Sequence, residues 1–365
     1  MSRPRLRTAA ATVASVAVAL ALSALLVQVT GGSPSAAVSA MYRGSLDGGA
    51  SVGQTVDEAT PLLLVALGTL ISTRAGIFNI GQEGQLLIGA TSGAAVGLHA
   101  GGLGTLGLVA TLAAAAAGGA AWAGVAAVLR YWRSVDVVIS TLLLSFIAVQ
   151  LVTVAVNRSW LLQERPVAGA ILLPESDALP PDVHLPRIGQ YPSFNAGAGF
   201  VLALLLAVVV ALGLTRTVWG LRLRMLGLNR VVAHRVGVDE RRTGAVALLL
   251  SGAFAGLAGG VVLTGTVFRL QPAISDNLGN EGLLVALVGQ AGAVAAVPIA
   301  FFFGALRSGG SFLAATGVPR FLVDVVQGLL VLAAVTPAAL RLRRRAPGRE
   351  LAPPAPWAAD TPGSA

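Results

Sequence analysis

The stretch from Arg74 to Ala90 reads RAGIFNIGQEGQLLIGA and sets Asn79, Gln82, Glu83 and Gln85 beside Gly76, Gly81 and Gly84, between two long apolar runs. Amides and a carboxylate supply donors and acceptors for a polar solute. An ionisable residue at membrane depth is costly and ordinarily faces a cavity or a partner. Glycines beside it permit a helix break whose freed backbone groups can hold such a solute. The same residues also suit a cytoplasmic turn with Arg74 ending the preceding helix, and spacing alone leaves both readings open. Asp324 and Gln327 lie about one turn apart in the last apolar segment and share a helix face. They line a solute path or pair with another helix, and the acid favours the cavity. Glu281 opens an apolar segment, where a carboxylate suits the positive end of a helix dipole.

All of this is binding chemistry. No H-E-x-x-H, G-x-S-x-G or phosphate-binding G-x-x-x-x-G-K-[ST] occurs, so the chain is not expected to be an enzyme or to bind ATP itself. Cysteine is absent and the three histidines, His99, His184 and His234, are far apart, so neither a metal site nor a cofactor is expected.

The elements that must position these residues are read from composition. Of 365 residues, 55% are hydrophobic and 11% charged, which is too little charge to cover a water-facing surface. Apolar stretches fall at about 8–30, 59–75, 84–100, 103–129, 136–156, 198–214, 243–264, 281–291, 294–306 and 320–337. The expected fold is an all-α polytopic transmembrane helical bundle of about ten segments, including broken half-helices. The first run, after Arg3, Arg5 and Arg7, matches the roughly 20 residues of a span and exceeds a signal-peptide core. Residues 1–30 are therefore expected to form a retained transmembrane helix, 31–340 the main transmembrane domain, and 341–365 a disordered cytoplasmic tail.

Arginine sorts the loops. Segment 215–243 holds seven arginines against Asp239 and Glu240, whereas 157–197 holds three against four acids and six prolines. The positive-inside bias places 215–243 in the cytoplasm and 157–197 outside, and it explains the net charge of +9 better than nucleic acid does. Arg341, Arg343, Arg344 and Arg345 fall inside only if Gln290 to Gly292 is a turn between two short half-helices, so that split is expected, with both termini cytoplasmic. Two glycine stripes, Gly89–Gly93–Gly97 and Gly252–Gly256–Gly260, suit close helix packing.

Segment 220–237 is basic and glycine-broken. Gly220, Gly227 and Gly237 interrupt it, apolar Leu221, Leu223, Leu226, Val231 and Val232 interleave with Arg222 and Arg224, and Asn229 and Ala233 lie in its second half. Gly227 is expected to permit a sharp bend between the Arg222–Arg224 part and Asn229 to Val236. Such a helix can seat apolar residues in a groove of a soluble partner. On these features alone a solvated basic loop near anionic headgroups is the more ordinary reading.

RAGIFNIGQEGQLLIGA resembles a signature of permease subunits of ABC importers, in the superfamily serving branched-chain amino acids, simple sugars and nucleosides, and looks most like the nucleoside (simple sugar) branch. VISTLLLSFIA at 138–148 resembles a helix that in relatives reads Asn-Glu-Val-Ile-x-Thr-x-Met-x-Asn, with Asp136, Val137 and Ser145 standing here at its polar positions. GLRLRMLGLNRVVAHRVGV at 220–238 resembles the family's coupling segment, and EGLLVALVG, FGALRSGG and VPRFLVDVVQGLLVL follow in order. The resemblance covers roughly 59–335. It implies a permease of the bacterial plasma membrane that couples to a separate ABC ATPase through Gly220, Arg222, Arg224, Gly227, Asn229, Ala233 and Gly237. It further implies a second, related permease subunit and an extracellular solute-binding protein. An ion-coupled secondary transporter, which also uses broken helices, is the alternative.

Overall fold

The computed structural model describes residues 33–165, 173–289 and 292–315, with isolated positions within 18–29 and 325–329. Apart from those positions the expected first helix, and with it Asp324, Gln327 and the tail at 341–365, lies outside the described residues.

The described chain runs α1 (Pro34–Ser45), α2 (Gly49–Arg74), α3 (Gln82–Gly97), α4 (Thr105–Arg133) and α5 (Val137–Val156). A small hairpin follows, β1 (Arg187–Gly189) with β2 (Asn195–Gly197). Then come α6 (Gly199–Arg216), α7 (Val218–Leu228), α8 (Arg230–Arg235), α9 (Glu240–Val262), α10 (Leu278–Val288) and α11 (Ala293–Ala315). Six are long and apolar enough to cross a membrane: α2, α4, α5, α6, α9 with its π-helical extension to Val267, and α11. The all-α bundle expected from composition is what forms.

Local chemistry fixes the ends. Ser33 caps α1, with Pro34 at its first position, where the missing N–H costs nothing. The Asp136 carboxylate accepts from Val138 N (2.8 Å) and Ile139 N (3.2 Å) to start α5, and Asp239 does the same for α9.

Three expectations change. Helix α2 starts at Gly49, ahead of the apolar stretch at 59, because its first turns project polar side chains at one end of the bundle. The span expected at 84–100 is the 16-residue α3, entered through the irregular backbone of 77–81. Two helices do end and begin on either side of the expected turn, α10 at Val288 and α11 at Ala293, while Gln290 and Ala291 lie outside the described residues; only α10, with 11 residues, is half-length. Helix α11 has 23 residues and carries Pro298 inside it, so it is a full span rather than a second half-helix.

Helix α2 is the centre. Its most apolar window is 89% buried, against 28%, 39% and 22% for α4, α5 and α6, which turn apolar faces outward. With no hydrophobic drive between helices in lipid, packing must come from close approach. Gly256 shows this: a Cβ there would strike the Ala115 carbonyl of α4 and come 2.9 Å from Gly119 Cα, while a Cβ on Gly89 of α3 would strike Gly256 itself.

The two ends of α2 hold different loops. At one end Asp57 accepts from Arg187 Nη2 and from Gly197 N, both at 2.6 Å, which fastens the 157–197 segment. At the other end Arg74 and Gly76 pack against Gly227 of α7. Segments 157–197 and 215–243 therefore sit at opposite ends of the bundle.

Candidate functional site

Beyond Arg74 the chain turns through Gly76, at φ +70°, and enters the bundle as irregular backbone before α3 begins. Asn79, Gln82 and Gln85 are essentially inaccessible to solvent. Buried amides must find partners or lose stability, and here they find one another and two hydroxyls from neighbouring helices. Asn79 Nδ2 donates to Gln85 Oε1 (2.9 Å) and to Ser251 Oγ of α9 (3.0 Å), and Gln85 Nε2 donates back to Asn79 Oδ1 (3.2 Å). Gln82 Nε2 donates to Thr69 Oγ1 of α2 (2.7 Å) and to the same Ser251 Oγ (3.0 Å).

Among the described residues Gln82 Oε1 meets no partner, while two of the freed backbone N–H groups do. Ile80 N donates to Thr141 Oγ1 and Gly84 N to Ser145 Oγ, both of α5 and both at 3.3 Å. Of the polar positions quoted for the 138–148 helix, Ser145 thus faces the broken segment, joined by Thr141, whereas Asp136 is spent on capping α5. Glu83 lies half-buried and accepts from Gly279 N at 2.8 Å, so it caps the first turn of α10.

Helix α10 begins beside a second polar group. Arg307 of α11 places Nε 2.9 Å from Glu58 Oε2 of α2, Nη2 2.8 Å from Asp276 Oδ2 and Nη1 3.1 Å from Glu281 Oε1. Glu281, expected as a simple cap, does stand in the first turn of α10 and in addition pairs with this guanidinium. Two cavities flank α10. One of about 390 Å³ is lined by Asp57, Glu58, Thr266, Gln271, Asp276 and Arg307 among others, at the end of α2 that holds the 157–197 segment. The other, of about 260 Å³, lies towards the opposite end between Thr69, Thr73, Arg74, Ala286 and Leu287.

In the coupling segment, the bend falls at Asn229, between α7 and α8, and not at Gly227, where flexibility was expected. Asn229 Oδ1 accepts from Val231 N (3.0 Å) and Val232 N (3.2 Å) and starts α8. Gly227 lies inside α7, where a Cβ would strike the Arg74 carbonyl and stand 3.0 Å from Gly76 N. Gly220 and Ala233 are buried against the bundle, and Gly237, at φ +82°, ends α8. Leu228, Val231, Val232 and Val236 stay exposed among Arg222, Arg224 and Arg235.

Sequence reasoning missed Thr69, Thr141 and Ser251 as partners of the broken segment, and missed Glu58, Asp276 and Arg307 altogether. The signal for the last was present: an arginine inside an apolar run needs a carboxylate partner.

Among the described residues, six helices long and apolar enough to cross a membrane, a short helix beside a polar break and a packed basic segment at one end are the parts of a multi-pass membrane transport protein. The chain belongs to the family described as the branched-chain amino acid transport system / permease component, which matches residues 52–335. It is 31% identical to the guanosine ABC transporter permease protein NupP of Bacillus subtilis strain 168 over 88% of this chain and 91% of that protein. It is 32% identical to the glucose ABC transporter permease protein TsgB13 of Haloferax volcanii over 89% of this chain and 86% of that one. A second Bacillus subtilis protein, the guanosine permease NupQ, is 27% identical over 70% of this chain and 80% of its own length. No solved structure matches the chain. The chain is an ABC transporter permease subunit.

Proposed function

We propose that this permease forms half of the membrane pathway of an importer for nucleosides or simple sugars, in the bacterial plasma membrane. ATP is hydrolysed on a separate subunit that docks on α7 and α8. A second, related permease completes the pathway, and an extracellular binding protein delivers the solute. The termini and 215–243 are cytoplasmic, and 157–197 is outside, on the arginine distribution.

The observation that carries this reading is the seat of α7. Exposed apolar side chains among arginines suit a soluble partner, and the same helix touches, through Gly227, the turn that leads into the buried Asn79–Gln85 network. Movement of α7 is thereby delivered to the broken segment. In that segment Asn79, Gln82, Glu83 and Gln85 hold the break in shape beside the solute path, and Asp324 and Gln327 are proposed to line the path. The two relatives named for guanosine and glucose support a neutral, hydroxyl-bearing solute.

The test is uptake into vesicles carrying the complete complex, with labelled guanosine and labelled glucose as probes. Saturable uptake of one, competed by its own unlabelled form, supports the reading. Uptake of neither, beside brisk uptake of a branched-chain amino acid, contradicts the solute class.

A further inference from the structure

The cavity between α2, α11 and the 263–278 segment has a lining that the coupling argument does not use. Its volume of about 390 Å³ lies within the range of small-molecule sites. It combines hydroxyl, amide, carboxylate and guanidinium groups from Thr266, Gln271, Asp57, Glu58, Asp276 and Arg307, and a mixture of donors and acceptors on an otherwise apolar wall is what a hydroxyl-bearing solute needs.

Its charge is uneven. Four carboxylates, Asp57, Glu58, Asp276 and Glu281, are arranged around two guanidinium groups, Arg187 and Arg307, leaving a surplus of two negative charges. Arg307 is itself committed: Nε meets Glu58 Oε2, Nη2 meets Asp276 Oδ2, and Nη1 meets both the Asp276 carbonyl and Glu281 Oε1. Its side chain is only 10% exposed. A phosphate entering the cavity would have to displace carboxylates from Arg307, the guanidinium on the described wall, and it would meet the surplus negative charge.

We propose that this cavity is the solute vestibule at the outer end of the permease, and that its charge surplus admits uncharged solutes and excludes their phosphorylated forms. The proposal rests on the reading of the chain as a permease for nucleosides or sugars. Carboxylate oxygens accept from solute hydroxyls, Gln271 and Thr266 complete the contacts, and Arg307 holds Glu58 and Asp276 in place as a positioning residue. Selection against anions then happens in the membrane subunit as well as in whatever delivers the solute.

The chain has no cysteine, so a Gln271→Cys variant in the full complex gives one addressable thiol in the cavity, and Ala273→Cys is the second variant if the first does not assemble. Labelling rates with a cationic and an anionic methanethiosulfonate reagent are compared, each normalised to a Gln190→Cys control in the outer hairpin. A normalised cationic preference of about tenfold or more, reduced at least twofold by Asp276→Asn or Glu58→Gln, is expected from the charge surplus. Guanosine or glucose should slow the labelling at least fivefold, with guanosine monophosphate and glucose 6-phosphate at the same concentration slowing it less than twofold, on the same ground.

Equal normalised rates for the two reagents, or equal protection by the phosphorylated solutes, overturn the proposal. Loss of protection beside intact ATP-dependent uptake removes the vestibule and leaves the permease reading standing. Protection beside uptake that ignores the ATPase keeps the vestibule and removes that reading.

Discussion

Gly227 and Gly76 meet backbone to backbone: a Cβ placed on Gly76 would lie 3.1 Å from Gly227 Cα, and one placed on Gly227 would strike the carbonyl of Arg74. A helix of the basic 215–243 segment thus rests without side chains between it and the turn into the buried amide network. Backbone contact of this kind transmits a displacement without the slack of long side chains.

Coupling should therefore fail at two separable places. Gly227→Val pushes α7 away from the Arg74–Gly76 turn, so the ATPase should still co-purify while solute-stimulated hydrolysis falls about tenfold or more, an overpacking effect of order 1–3 kcal/mol carried into the coupling step. Glu in place of Leu228, Val231 or Val232, all exposed, should instead weaken co-purification and leave the permease folded. Ala233 is fully buried, so Ala233→Glu should disrupt α8 itself and lower the melting temperature of the isolated subunit.

Glu83 ties the first turn of α3 to that of α10 through Gly279 N at 2.8 Å. Glu83→Leu leaves that N–H without its acceptor, a cost of about 1–3 kcal/mol, and uptake should be lost while the subunit still reaches the membrane. Glu83→Gln retains an acceptor oxygen and should keep most of the thermal stability in detergent. Wild-type uptake in Glu83→Leu would show that the link between the two helices is dispensable.

The α4–α9 crossing should tolerate nothing larger than glycine at Gly256, which lies against Ala115 and Gly119 of α4 and Gly89 of α3. Gly256→Leu must push α9 away from both neighbours at once, so a loss of at least about 1–3 kcal/mol is expected. A thermal scan of the detergent-solubilised subunit measures it, and an unchanged melting temperature would mean that the helices do not meet at this residue.

Asp182, in the turn before the hairpin, accepts from Gly102 N (2.7 Å) and Gly104 N (3.2 Å) with one carboxylate oxygen. The Gly104 N–H foremost, with that of Gly102, holds the Asp182 carboxyl below its ordinary value. A depressed folded pKa gives stability that is present above the unfolded value, about 3.9, and lost as pH falls through the folded one. The melting temperature of Asp182→Asn should lie below that of the parent at neutral pH, and the gap should close in acid. A gap that widens on acidification would refute this.

Much of the architecture was legible because lipid imposes a crude code, in which long apolar runs mark spans. Asn79, Gln82, Glu83 and Gln85 were visible for the same reason, as polar side chains where few belong. Their partners were not. Thr69 and Ser251 are small hydroxyl residues inside apolar helices, and nothing in their spacing says which amide they meet across the bundle. Helix α1 was missed although Ser33 and Pro34 form a start signal, because its mixed composition gives no apolar run. The bend at Asn229 was assigned to Gly227 because glycine suggests freedom; here its small size serves a close approach, and an Asn cap makes the turn.

The claim that this chain is the passive half of an ATP-driven machine has one direct test. The permease is reconstituted with its partner permease and binding protein, with and without the ATPase, and uptake of labelled guanosine and glucose is followed with ATP inside the vesicles or with proton and sodium gradients alone. Uptake only in vesicles that hold both the ATPase and ATP, and indifferent to either gradient, is the expected result. Gradient-driven accumulation by the permease without the ATPase would make it an ion-coupled carrier and contradict the account.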